Sequence, residues 1–182
     1  LHNVNLAYAN LKNASLIGTK FNGSNLTGAN LSKARINNTK FITITPGGVA
    51  GFYSLGVCNY IKKHYDVSNY SFLGASAGAW NAMVCSYKGD CQTLVKSLFN
   101  NDVIDQTNSI DELQYNLKQH ILDQYTSDDF DVEKLYITIC EVDQFSIKSK
   151  VINNFYNLET ILDCCMVSSH IPYITSNKLI KV

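Results

Sequence analysis

The sequence carries no excess of either charge. It has 15 Lys and Arg against 15 Asp and Glu, and only 16% of its 182 residues are charged. That excludes the electrostatic basis of nucleic-acid binding, which needs a basic surplus to neutralise phosphates. It equally excludes a polybasic membrane anchor. No run of 18 apolar residues occurs, so no segment reads as a bilayer-spanning helix. No charged n-region followed by an apolar h-region opens the chain. The expectation is a cytoplasmic or otherwise intracellular protein, peripheral to membranes and not secreted. Six cysteines, at 58, 85, 91, 140, 164 and 165, include no C-x-x-C pair, and the four histidines are scattered. A zinc site is not expected, nor any other metal or cofactor. The adjacent Cys164 and Cys165 fit no disulfide framework, so the cysteines read as buried, reduced thiols. What the chain does have is a 46% apolar content. That fits a packed core, and the length allows one ordinary domain with or without a small module.

The first forty residues repeat. Large apolar side chains stand at Leu1, Leu6, Leu11, Leu16, Phe21, Leu26, Leu31, Ile36 and Phe41, always five apart. Two positions before most of them is a small residue: Ala9, Ala14, Thr19, Ser24, Ala29, Ala34 and Thr39. Steps of five rotate about 140° on an α-helix, so no helical face is apolar. On a flat strand the same steps alternate between the two sides. The pattern makes sense if the backbone turns a corner every five residues and four sides close one coil of about twenty residues. Asn and Gly supply the corner conformations. Ala9-Asn10-Leu11 and Ala29-Asn30-Leu31 are the cleanest units. The segment resembles the pentapeptide-repeat family, A(D/N)LXX. The resemblance implies a right-handed quadrilateral β-helix over residues 1–41 that docks an unknown protein and carries no chemistry of its own. About two coils bury little area alone, and the chain starts inside a unit, so further coils are expected before Leu1.

Beyond residue 41 the pattern changes to alternating strands and helices. Phe41–Thr45 is a β-branched run followed by Pro46-Gly47-Gly48-Val49-Ala50-Gly51 and a helical stretch with Phe52, Leu55, Val57, Tyr60 and Ile61. Tyr70–Leu73 is a short apolar run before Gly74-Ala75-Ser76-Ala77-Gly78, and residues 79–87 read as a buried helix. Residues 109–125 read as an amphipathic helix with a Ser109/Glu112 capping box. Strands are expected at 135–139 and 145–151, and a helix at 158–167. This alternation predicts an α/β domain with a parallel sheet and helices on both faces.

Chemistry points to the two glycine motifs. Gly74-Ala75-Ser76-Ala77-Gly78 is a G-x-S-x-G element. In a nucleophile elbow a serine sits in a strained strand-to-helix turn, its hydroxyl projecting, with small residues two before and two after it to avoid clashes. An apolar strand pattern precedes Ser76 and a helix pattern follows it. The Pro46–Gly51 loop also follows a strand and opens a helix, so its N–H groups could face an anion. A nucleotide P-loop is out, because no G-K-[ST] is present. A dinucleotide fingerprint would need Gly where Pro46 stands. An ordinary tight turn remains open for this loop taken alone.

Together the two motifs resemble the patatin-like phospholipase family, with its glycine-rich loop G-G-G-x-[RK]-G, one helix, and then G-x-S-x-G. Gly47, Gly48 and Gly51 match the loop and Gly56 a glycine of the following helix, while Pro46 and Ala50 depart from the pattern. Ile137–Asp143 is similar to the family's central strand, and Ser168-Ser169-His170-Ile171-Pro172 to its A-S-x-x-I-P segment. The resemblance implies a three-layer α/β/α domain over residues 42–182. It implies Ser76 as nucleophile, with Gly47, Gly48 and Val49 forming the oxyanion hole and no metal. It also implies a glycerophospholipid or other lipid ester as substrate. The family's second catalytic residue is the Asp of a later D-G-[GA] motif, and no Asp-Gly occurs here. That Asp is expected beyond Val182. Asp143 and Asp163 read as surface or supporting residues, and His170 as structural rather than as a base for Ser76. Three readings stand: a lipid acyl hydrolase docked by its repeats, an inactive interaction protein on the same scaffold, and a soluble serine esterase or thioesterase.

Overall fold

The computed structural model describes residues 4–16, 24–32, 35–36, 40–99, 107–142 and 146–175. The chain divides into two compact units, Leu1–Lys40 and Phe41–Val182.

Among the described residues of the first unit, the parallel bridges join residues twenty positions apart. Asn5 bridges Asn25 and Asn10 bridges Asn30, both in parallel, and β1 (Ser15–Leu16) pairs in parallel with β2 (Arg35–Ile36). The corners follow from local chemistry. The side-chain oxygens of Asn5, Asn10, Asn25 and Asn30 each accept the backbone N–H two residues on, at 3.0–3.2 Å. Such Asx turns let a short amide replace a backbone partner. Those of Asn5, Asn10 and Asn25 are followed by four-residue turns, closed by Ala9 N–H to Leu6 O at 3.1 Å, Ala14 N–H to Leu11 O at 3.0 Å and Ala29 N–H to Leu26 O at 3.0 Å. The third residue of these turns is left-handed: Tyr8 (φ 59°), Asn13 (φ 62°) and Gly28 (φ 67°). A Cβ at Gly28 would stand 2.6 Å from the exposed Tyr8 ring, so glycine gives that ring its room.

The second unit is mixed α/β. A four-stranded sheet has the order β3 (Lys40–Ile44), β4 (Tyr70–Ala75), β5 (Leu135–Val142), β6 (Ile147–Ile152). Five α-helices accompany it among the described residues: α1 (Gly51–His64), α2 (Ala77–Ser86), α3 (Cys91–Leu98), α4 (Ile110–Gln124) and α5 (Leu158–Ser168). β4 and β5 are parallel, in register from Phe72↔Leu135 to Ala75↔Thr138. β6 corrects the expectation of a parallel sheet, since it runs antiparallel to β5 from Ile137↔Ile152 to Val142↔Ile147. The reason is connection length. Residues 143–146 are far too few for a parallel crossover, which needs a dozen or more. β6 is exposed along nearly all its length and carries Lys148 and Lys150, charges that suit a sheet edge. Lys150 pairs with Glu141 across the hairpin at 2.6 Å.

The core is built from Phe72, Leu135 and Ile137 of the sheet, Leu55 of α1, Met83 of α2, Leu94 of α3, Ile121 of α4 and Ile161, Leu162 and Cys165 of α5. α2 is buried on nearly every side, as its uncharged sequence requires. α4 starts at the expected cap, where Ser109 Oγ accepts the Glu112 N–H at 3.1 Å. The Glu112 carboxylate, however, reaches one residue further back, to the Asn108 N–H at 2.9 Å. Expected buried thiols are found at Cys58, Cys85, Cys91 and Cys165, but Cys164 is half-buried and Cys140 is exposed.

Candidate active site

Ser76 is the single residue between the end of β4 and the start of α2. Its backbone has φ 56° and ψ −128°, a left-handed conformation that an L-residue adopts at a cost of about 1–3 kcal/mol. The neighbouring glycines make that turn sterically feasible. A Cβ on Gly74 would collide with the Gly78 carbonyl and lie 2.7 Å from Ala79 N. A Cβ on Gly78 would collide with the Ile44 carbonyl of β3 and lie 2.8 Å from Thr45 O. Both G-x-S-x-G glycines are therefore demanded by backbone packed against backbone. Ala75 closes the β4–β5 register against Thr138, and Ala77 opens α2.

The glycine-rich loop lies beside this elbow. Gly48–Ala50 forms a 3-10 turn that runs directly into α1 at Gly51. Gly48 is left-handed at φ 51° with open space at its Cβ position, and Ala50 N–H closes the turn onto Gly47 O at 2.9 Å. The first N–H groups of such a turn have no partner within it. Pro46, Gly47, Gly48 and Val49 are all exposed, and Pro46 has no N–H to give. Two contacts fix this loop to the elbow. Gly51 abuts Ala77 so closely that a Cβ would stand 2.6 Å from the alanine methyl, and the buried Asn81 side chain donates to Gly51 O at 3.0 Å. Asn81 was not singled out by the sequence, although one amide inside an otherwise apolar helix is a visible signal. Gly56 has nothing within 4 Å of a Cβ, so no packing demands glycine there.

The end of α5 completes the surroundings. Ser76 N–H donates to Ser168 Oγ at 2.8 Å, and Ser168 Oγ donates to Thr138 O at 2.6 Å. Ser169 Oγ accepts from Trp80 Nε1 at 3.2 Å and from Gln114 Nε2 at 2.8 Å. His170 Nδ1 lies 3.1 Å from Thr175 Oγ1, and its buried Nε2 has no partner among the described residues. Among the described residues no hydrogen bond reaches Ser76 Oγ from a carboxylate or an imidazole. Asp163 is exposed and bound to Lys118 Nζ at 2.7 Å, and Asp143 lies outside the described residues.

Burial pushes Cys91 and Cys164 up to about 11, and the hydrogen bond that the Cys85 thiol donates to Cys58 raises Cys85, with burial adding to it, and lowers Cys58. Two surface hollows, of about 350 and 530 Å³, are lined by residues around Phe130 and around Tyr115. Neither includes Ser76 or the glycine loop.

Residues 1–41 match the family model for pentapeptide repeats in eight copies. No curated protein and no solved structure matches the chain. The family match ends where the first unit ends, and residues 42–182 are read from their own geometry.

Proposed function

We propose that the second unit is a serine acyl hydrolase with Ser76 as its nucleophile, of the patatin-like phospholipase kind. The observation that carries this reading is the Ser76 backbone, strained at φ 56° between a strand and a helix and hemmed by two glycines that tolerate no Cβ. Strain of this kind persists only where the surroundings enforce it, and at this type of turn it projects the hydroxyl from the sheet edge. The Ser76 hydroxyl attacks an ester carbonyl, and the exposed loop N–H groups of Gly47, Gly48 and Val49 hold the oxyanion. The tetrahedral intermediate collapses with cleavage of the ester C–O bond and departure of the alcohol, and water then hydrolyses the Ser76 acyl ester to a free carboxylic acid and the Ser76 hydroxyl. The family resemblance assigns the proton to the Asp of an Asp-Gly motif, which residues 1–182 do not contain. A lipid ester suits the exposed Val49 (78%), Phe52 (51%) and Tyr53 (78%), which flank the loop and offer apolar contact to an acyl chain or a membrane surface.

The first unit is read as a right-handed quadrilateral β-helix that docks a protein partner. The twenty-residue spacing of its parallel pairings supports that reading. The competing view, an inactive interaction protein, draws on the lack of a described base at Ser76 and on Ala50, which stands exposed where the family carries a basic residue.

One experiment separates these readings. The full chain is treated with a fluorophosphonate probe and assayed on a glycerophospholipid below and above its critical micelle concentration, with Ser76→Ala as control. Labelling and hydrolysis that vanish in Ser76→Ala, with a gain above that concentration, support the phospholipase. Hydrolysis without the gain favours the soluble esterase. Equal behaviour of wild type and Ser76→Ala in a chain that carries the Asp expected beyond Val182 refutes the hydrolase.

A further inference from the structure

The Ser76 turn interrupts the β4–β5 ladder at a defined point. The parallel register ends at Ala75↔Thr138, and the next N–H along β4 belongs to Ser76. With Ser76 at φ 56°, its N–H reaches the sheet only through a third group. That group is the Ser168 hydroxyl, which accepts from Ser76 N–H at 2.8 Å and donates to Thr138 O at 2.6 Å. One oxygen with both a donor and acceptor capacity is inserted where a direct bond between N–H and carbonyl would have stood. The polarity is forced, because a backbone N–H only donates and a carbonyl only accepts. The hydroxyl hydrogen is therefore fixed on Thr138.

We propose that Ser168 is a positioning residue that clamps the nucleophile's backbone to β5 and holds Ser76 in its strained conformation. The proposal rests on the hydrolase reading of Ser76. Two consequences follow. The Ser76 N–H is engaged by the Ser168 hydroxyl and does not serve the oxyanion. The clamp also couples the elbow to the C-terminus of α5, since Ser168 is the last residue of that helix. Ser169 extends the same coupling, accepting from Trp80 on α2 and from Gln114 on α4.

The test compares Ser168→Ala, Ser168→Thr and Ser168→Cys in the full chain by residue-resolved amide exchange and by the rate of fluorophosphonate labelling. The Ser76 amide should be protected in the wild type, exchange freely in Ser168→Ala and regain protection in Ser168→Thr. Protection elsewhere in the sheet should be unchanged. Labelling should fall by about 10- to 100-fold in Ser168→Ala, the scale expected of a small misplacement of a reacting group, and hydrolysis should lose kcat with KM unchanged. Ser168→Thr should recover the rate. Ser168→Cys, a weaker donor and acceptor of similar volume, should fall between and serves if the alanine variant does not fold. An unprotected Ser76 amide in the wild type, or unaltered exchange and labelling in Ser168→Ala, overturns the proposal. A wild-type chain that resists the probe while showing the expected amide pattern overturns the hydrolase reading, and the positioning role falls with it.

Discussion

Replacing Ser76 by glycine should stabilise the second unit, and replacing it by alanine should not. The backbone at φ 56° and ψ −128° costs an L-residue about 1–3 kcal/mol, and alanine retains that cost because its Cβ keeps the same restriction. Glycine removes it, at the expense of about 0.5–1 kcal/mol of extra conformational entropy in the unfolded chain. The side chain itself adds little to the balance, since Ser76 is only half-buried. Ser76→Gly should therefore exceed Ser76→Ala by about 1 kcal/mol, or about 3 °C in Tm for a chain of this length. Trp80 gives the readout. It is the only tryptophan, it lies on α2 directly after the elbow, and its Nε1 donates to Ser169 Oγ at 3.2 Å. Urea unfolding followed by its fluorescence reports on the second unit. A Ser76→Gly midpoint equal to or below that of Ser76→Ala would show that the turn stores no strain, and the main support for the proposed nucleophile would be gone.

Gly78→Ala should destabilise by at least ~2 kcal/mol in the same urea assay, because the new Cβ meets the Ile44 carbonyl and neither backbone has room to yield. Gly56→Ala, with nothing within 4 Å of its Cβ, should instead stabilise α1 by about 0.5–1 kcal/mol; a loss would mean that the open space around α1 is occupied. Asn157→Ala should cost about 1 kcal/mol by removing the cap of α5, where Asn157 Oδ1 accepts from Thr160 N–H at 2.8 Å, and Asn157→Ser should restore most of it. Lys118 loses solvation on burial, but its hydrogen bonds to Asp163 (2.7 Å) and Glu159 (3.1 Å) outweigh that loss and raise its pKa above the ordinary value. A raised folded value means that the contribution is complete below lysine's unfolded value of ~10.4 and is lost as pH rises through the higher folded one. Lys118→Gln should thus lower Tm at neutral pH, and the gap to wild type should close in strongly alkaline buffer; a gap that is constant with pH would assign the effect to packing.

The period of five and the G-x-S-x-G element were legible in the sequence because both are local. An Asn oxygen reaches the N–H two residues on, and a strand, a serine and a helix follow one another directly, so spacing alone predicts the turn. Connection length carries the same kind of information, and the short 143–146 link explains why β6 departs from the expected parallel pairing. The support of the site was not legible. Ser168 meets the Ser76 N–H across 92 positions, Asn81 meets Gly51 O across 30, and Lys118 meets Glu159 across 41. The sequence puts Ser168 in a segment that resembles A-S-x-x-I-P, but nothing near it tells a surface hydroxyl from one placed between an N–H and a carbonyl. Local pattern settles which bonds a segment makes with itself. Only the packing of α5 against the ends of β4 and β5 decides which hydroxyl completes a ladder that the elbow has broken.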